Sequence, residues 1–305
     1  MSVTQSGESV APAPPNPPGS GAARWGVDWR HVWYRLASSP LTVAGFVIVA
    51  LVIAAMTLAP AIAPYDPNRL SLAVRLAAPS WHHVFGTDEV GRDLFSRVIW
   101  GSRASVVAGL VTVAISMSIG TCIGAVSGFL SGWVDTVIMR IMDVLLAFPS
   151  FILAMALAAA LGPSLMNAIL PIAIVRTPFY VRLARGQALT LRDRAYVRAA
   201  ETFGSSSWHI VWRHILPNSM APIIVQATLD IGLAILTVSA LSFIGLGAQQ
   251  PTAEWGAMVA NGRAYFLDQW WYPMFPGLAI LVTAIGFNLV GDGLREILDP
   301  RLRGR

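Results

Sequence analysis

The chain has 305 residues, of which 55% are hydrophobic and only 12% are charged. A soluble domain carries about twice that charged fraction, so the composition excludes an ordinary soluble protein and points to one that crosses a membrane several times. The formal net charge is +5 and all 21 basic residues are arginine. These arginines sit beside apolar runs rather than on a separate basic face, which argues against nucleic acid as a partner.

Residues 1–22 are rich in Pro, Ser, Gly and Ala. They lack the apolar content to bury a core and read as a disordered cytoplasmic tail. Residues 23–38 carry Arg24, Arg30 and Arg35 beside Trp25, Trp29, Trp33 and Tyr34, the composition of an amphipathic helix lying in the membrane interface. Residues 41–63 form an apolar run long enough to cross a hydrocarbon core of about 30 Å. The run is longer than the apolar part of a signal peptide and reads as an uncleaved first helix. It opens a unit over 39–103, the first transmembrane helix with its outer loop.

Further spans are expected at about 104–128, 137–160, 166–187, 219–245 and 273–293, making six transmembrane helices in an all-α chain. The last five form a helical core over 104–294, and 295–305 is a second cytoplasmic tail. Gly109, Gly120, Gly124 and Gly128 recur in the second span, where small residues permit close helix contact in lipid. Cys122 is the only cysteine, so neither an intrachain disulfide nor a Cys-based metal cluster is available.

Arginine also sets the orientation. Arg182, Arg185, Arg192, Arg194, Arg198 and Arg213 surround the 188–218 loop, and Arg295, Arg301, Arg303 and Arg305 lie in the tail. The positive-inside rule places both termini and the 188–218 loop in the cytoplasm. The first outer loop dissents with Arg69, Arg75, Arg92, Arg97 and Arg103, nearly balanced by Asp66, Asp88, Glu89 and Asp93.

In that loop, Phe85-Gly86-Thr87-Asp88-Glu89-Val90-Gly91-Arg92-Asp93 is a turn-rich segment whose last residue is placed to cap the next helix. Its glycine spacing fits no phosphate loop. The neighbouring His82-His83 pair reads as exposed, and no His-x-x-x-His or His-x-x-Glu spacing supports a metal centre. Arg140 and Asp143, one turn apart, read as a local pair at the inner end of the third span.

Arg176 and Asp230 are ionisable residues in the middle of the fourth and fifth spans. Each lies 11 residues above the inner end of its span, at 187 and 219, or about 16 Å deep. An unpaired charge there costs several kcal/mol, so the two are expected to pair with each other or to face a watery cavity. Gln226 precedes Asp230 by four and shares its helix face. These three are candidate pathway residues.

The most informative stretch is 196–218. Ala199, Ala200, Gly204, Leu216 and Pro217 stand at the spacing of the loop by which ATP-binding-cassette (ABC) importer permeases grip their ATPases. The small residues suit a short helix seated closely in another protein, with Pro217 ending the loop and starting the next span. The string Phe-Gly-Thr-Asp-x-x-Gly-Arg-Asp with Ser96-Arg97 and Gly101-x-Arg103-x-Ser105 resembles the C-type permeases of the dipeptide/oligopeptide/nickel ABC importers. So do Asp-Val-Leu-Leu-Ala-Phe-Pro at 143–149, the block at 241–258 and the block at 288–301. Together they cover roughly 80 to 300, in order.

The resemblance implies a type I permease fold in a bacterial inner membrane. It implies a transport subunit rather than an enzyme, taking up short peptides, with nickel chelates and glutathione as the family's other cargoes. It implies a second homologous permease, two ABC ATPases that carry the ATP and Mg, and an extracytoplasmic substrate-binding protein, with no cofactor on this chain. Arg198, Ala199, Ala200, Glu201, Gly204, Leu216 and Pro217 would couple to the ATPase. One departure is Arg198, which stands where the family's Glu-Ala-Ala begins; Glu201, one turn on, is placed to substitute, or position 198 faces solvent and tolerates either sign. Two other classes remain as rivals, an ion channel and an integral-membrane enzyme. A channel needs no docking loop of this kind, and an enzyme needs a cluster of His, Asp or Glu.

Overall fold

The computed structural model describes residues 39–298. The tail at 1–22, the interfacial helix expected over 23–38 and residues 299–305 lie outside the described residues. What is described is all-α.

The first helix, α1, spans Pro40–Thr57, with Pro40 in the first turn, where a missing N–H costs nothing. A short α2 (Ala59–Ile62) and a 3₁₀ turn (Leu72–Val74) lead through the loop to α3, Leu94–Leu130. Asp93 caps α3 as expected, its carboxylate accepting the Ser96 N–H at 2.8 Å. α3 therefore begins about ten residues before the expected second span and takes in Arg97 and Arg103.

The expected third span, 137–160, is not one straight helix. α4 (Gly132–Ala147) and α5 (Ser150–Leu161) meet at an 88° elbow. The cause is local. Proline disfavours helical geometry in the residue before it, and Phe148 is extended (φ −89°, ψ 143°) ahead of Pro149. α6 follows as Leu165–Arg192, capped by Ser164 and carrying Pro171 and Pro178 inside it.

Helix α7 is Ala195–Thr202 and α8 is Ser207–Ile210. A π-helical turn, Val211–Ile215, joins α8 directly to α9, Leu216–Phe243. Pro217 was expected to end the loop, but the helical run is continuous from Ser207 to Phe243. The wide turn lies just ahead of Pro217, the residue that brings no N–H to the ladder. α10 (Trp255–Gly262), a 3₁₀ turn (Arg263–Tyr265) and α11 (Trp271–Leu298) complete the described residues.

Among the described residues four helical runs are long and apolar enough to cross a membrane: Pro40–Thr57, Leu94–Leu130, Ser207–Phe243 and Trp271–Ile297. The elbow pair makes a fifth if it is one span. α6, the expected fourth span, has the length at 28 residues but carries Arg176, Arg182, Arg185 and Arg192 and falls outside that set. It joins the expected six on length alone.

Packing follows the glycine pattern. A Cβ on Gly120 would lie 2.5 Å from Tyr180 Cβ, one on Gly124 2.3 Å from Val181 O, and one on Gly128 2.6 Å from Arg185 O. The spacing of four puts these glycines on one face of α3, and α6 lies directly against it. Such contact matters because lipid supplies no hydrophobic drive between helices. At the loop end of the bundle, Leu94, Trp255, Met258 and Tyr272 form one core cluster; at the other end Ala125, Ala188, Val197, Ile210, Val211 and Ile215 form another.

Candidate functional site

The segment between α6 and α9 is built to present a surface. Among α7 residues only Val197 is buried, seated with Ala125 of α3 and Ala188 of α6. Arg198, Ala199 and Glu201 are exposed and Ala200 is half-buried. Arg198 lies 3.0 Å from Asp193, with both side chains about two-thirds exposed. An exposed pair of this kind contributes little, so the charge at 198 is a solvent-facing feature.

α7 ends in a Schellman motif. Ser205 N–H donates to Ala200 O at 3.0 Å and Gly204 N–H to Glu201 O at 2.9 Å. This needs a left-handed residue after the cap, and Gly204 supplies it at φ +80°. A Cβ there would meet nothing within 4 Å. Within this chain, then, Gly204 is required by conformation, not by crowding. The turn leaves Phe203 88% exposed, and Trp208 and Trp212 stack edge-on at 5.3 Å on the next helical face, both exposed. Leu216 is half-buried and Pro217 exposed.

Inside the bundle, Arg176 and Asp230 meet. Arg176 Nε donates to Asp230 Oδ2 at 2.7 Å, and Nη2 pairs with Oδ1. Tyr180, one turn along α6, donates its hydroxyl to Oδ2 at 3.1 Å. The carboxylate is 3% exposed and the guanidinium side chain 21%, so the acid is sealed while the base has one open edge. A two-pronged charge-assisted pair is the arrangement that lets ions sit at depth. Gln226 is half-buried and joins no hydrogen bond with them among the described residues.

Charge also ties α6 to α4. Arg185 grips Asp135 with Nε–Oδ1 at 2.5 Å and Nη2–Oδ2 at 2.6 Å, and Ser127 of α3 donates to the same Oδ1 at 2.6 Å. Arg182 lies 2.7 Å from Asp143, and Arg192 2.5 Å from Ser131 Oγ. Asp143 thus pairs across helices to Arg182, not within its own helix to Arg140 as expected, because its carboxylate points toward α6.

The outer-loop motif is a structural clamp. Asp88 accepts Arg92 Nε at 2.5 Å and the Arg92 backbone N–H at 2.9 Å, with Arg97 Nε 3.7 Å away. Glu89 accepts from Arg92 and Gln250, each at 3.3 Å, and from the Tyr272 hydroxyl. Arg103 donates to Met56 O at 2.7 Å and Thr57 O at 3.2 Å, the open carbonyls at the end of α1. Three of the five arginines that dissented from the positive-inside pattern are therefore matched by internal partners. His82 is exposed and His83 Nδ1 lies 2.9 Å from Asp93 Oδ1. Among the described residues no group of three or more His, Cys, Asp or Glu is placed to hold a metal.

Nearby, Glu254 caps α10, accepting from Gly256 N at 3.0 Å and Ala257 N at 2.8 Å, with Ser105 Oγ at 3.2 Å. Its full burial raises the carboxyl above the usual range, opposed by those two backbone N–H groups.

Residues 120–304 match the family described as the binding-protein-dependent transport system inner membrane component. The chain belongs to this family of ABC transporter permeases. Residues 28–79 match the N-terminal TM domain of oligopeptide transport permease C, the C-type expected from the motifs. The permease is 63% identical over 274 residues to the probable D,D-dipeptide transport system permease protein DdpC of Escherichia coli (strain K12), covering 90% of this chain and 92% of that one. It is 41% identical over 294 residues to the dipeptide transport system permease protein DppC of Alkalihalophilus pseudofirmus, covering 96% and 97%. It is 45% identical over 277 residues to the glutathione transport system permease protein GsiD of Shigella flexneri, covering 90% and 91%. As a permease it is a multi-pass membrane transport subunit and not an enzyme.

The sequence placed Arg176 and Asp230 at one depth, and they meet; it did not single out Tyr180, Asp135, Phe203 or Glu254. Tyr180 stands four residues after Arg176, and that spacing was its signal. Asp135 had none, since a carboxylate near a span end looks solvated.

Proposed function

We propose that this permease is the C-type subunit of an ATP-driven importer of short peptides. In this reading it lines the pathway together with a second homologous permease, two ABC ATPases bind on the side of α7, and an extracytoplasmic binding protein delivers the peptide to the opposite face. Both termini and α7 lie in the cytoplasm, α6 is a sixth span, and ATP and Mg are held by the ATPases alone.

The observation that carries the reading is the α7 turn, with one buried anchor, Val197, and an aromatic ring, Phe203, held out by a capped turn. A buried aromatic is the kind of residue that dominates a protein interface. Arg198, Ala199, Ala200, Glu201 and Gly204 form the rest of the docking face, and Leu216 and Pro217 fix the helix that leaves it. The experiment is co-purification with the ATPases. Phe203→Ser should lower ATPase recovery roughly tenfold or more, on the scale of an interface hot spot, with normal membrane insertion. Full recovery of the ATPase would remove the segment from this role.

Arg176 and Asp230, with Gln226 a turn below, lie beside the pathway in this reading, where a peptide's charged ends pass. Dipeptides are the first substrate class to test, given the peptide permeases among the relatives. Glutathione, itself a short peptide, is the second, given its permease at 45% identity.

A further inference from the structure

Helix α4 is attached to the bundle in an unusual way. Of its 16 residues only Met142 is buried. Trp133, Val137, Ile141 and Val144 fall on one face, and all four are exposed. The opposite face carries Asp135 and Asp143, and both reach α6, where Arg192 also holds Ser131 at the α4 N-terminus. Val134, Ile138 and Leu145 are only half-buried in line with Met142, so a shallow apolar stripe and these charged contacts together hold α4. Ion pairs can be exchanged for others without opening a cavity, whereas a packed core cannot.

The position of Asp135 adds a second observation. Its carboxylate, carried by α4, accepts from Ser127 of α3 and Arg185 of α6. One turn along α6 from Arg185 is Ala188, which contacts the same cluster as Val197, the single buried residue of α7. A displacement of α7 therefore meets α6 one turn from the arginine that holds α4. At its far end α4 turns through the 88° elbow into α5, which packs on α6 through Ala154, Ala158, Ile169 and Ile172.

We infer that the Asp135–Arg185 pair is a releasable latch. It holds α4 and its elbow in one position and passes movement of α7 to them. Asp135 and Arg185 are positioning residues. They touch no substrate and act by setting where α4 stands. This rests on the coupling role proposed above for α7. It adds that the moving element is α4 and that a charge pair, not a packed interface, connects the two.

The test uses the assembled transporter with its ATPases. Asp135→Asn and Arg185→Gln are compared with the swapped pair, Asp135→Arg with Arg185→Asp, each at matched complex yield. The readout is peptide taken up per ATP hydrolysed, which a loss of stability alone does not change. Each single variant should keep hydrolysing ATP while uptake per ATP falls about fivefold or more, and the swap should restore most of it. Spin labels at Val137→Cys and Thr190→Cys, in a Cys122→Ser background, report the α4–α6 distance. That distance should differ between the nucleotide-free and ATP-trapped complexes. Asp135→Asn should broaden the nucleotide-free distribution.

Wild-type uptake per ATP in both single variants overturns the latch, and so does an α4–α6 distance unmoved by nucleotide. A wild-type complex that hydrolyses ATP yet takes up no peptide is a failure of the substrate reading instead. The distance measurement then decides the latch by itself.

Discussion

Taking away one half of the Arg176–Asp230 pair strands the other half in a medium that cannot solvate it. Removing one partner of a buried pair costs about 3–5 kcal/mol, whereas replacing both is often close to neutral. Arg176→Leu and Asp230→Leu should each cut the yield of folded permease in detergent, and the double change should restore much of it. A double variant that folds and transports nothing assigns the pair to substrate passage; single variants that match wild type would show that the pair supports neither. The pair was legible in the sequence because charges stand out in apolar runs and their depths match. Tyr180, the third member, was hidden because a tyrosine in such a run looks like core. Asp93 was readable for the opposite reason, since a cap is decided within four residues. Gly204 was noticed for its small size, but its role lies in backbone sign. Gly204→Ala forces a side chain into the left-handed region at a cost of roughly 1–2 kcal/mol and should reduce ATPase co-purification by moving Phe203, although a Cβ at that position meets nothing in this chain. Equal recovery of ATPase with Gly204→Ala would mean that the turn does not set the docking face.

Helix-scale packing separates glycines that are needed from those that are not. Gly124→Ala places a methyl 2.3 Å from Val181 O, while Gly186→Ala places one in open space. Overpacking of this kind costs typically 1–3 kcal/mol, so Gly124→Ala should lower the thermal midpoint of the purified permease, and Gly186→Ala should leave it level or raise it. Equal midpoints would mean that the α3–α6 seam is looser than described here. The seam was visible as a spacing of four, but its partner helix was not, because a small-residue stripe does not say what it faces. The elbow between α4 and α5 was missed although Pro149 was in plain view. An apolar run of span length over 137–160 outweighed one proline, and the local rule governing the residue before proline won. The joined run Ser207–Phe243 was missed for a related reason. Pro217 reads as a helix start, yet the π turn before it keeps the helix continuous.

At the scale of the whole molecule, the two ends of the bundle differ in how they are held. At the loop end Asp88, Glu89, Arg92, Arg97 and Tyr272 interlock through buried or half-buried polar contacts, which tie the outer-loop motif to the starts of α3 and α11. At the other end α7 hangs on Val197, and α4 on Met142 and its ion pairs. Regions with few buried contacts are where motion is expected. The all-α membrane class was legible from the long apolar runs and the family from motif order; the count of six was not, since four helical runs, or five with the elbow pair, meet the length and apolarity of a span among the described residues. How each helix is held was not legible, because contacts across helices are set by the fold and leave no local mark in an apolar run. The most direct measurement of the central claim is peptide uptake into vesicles holding this permease, its partner permease, the ATPases and the binding protein. The expected result is accumulation of a labelled dipeptide that requires ATP and is lost with Phe203→Ser. Uptake that proceeds without ATP, or an assembled complex that hydrolyses ATP yet accumulates neither dipeptide nor glutathione, would contradict it.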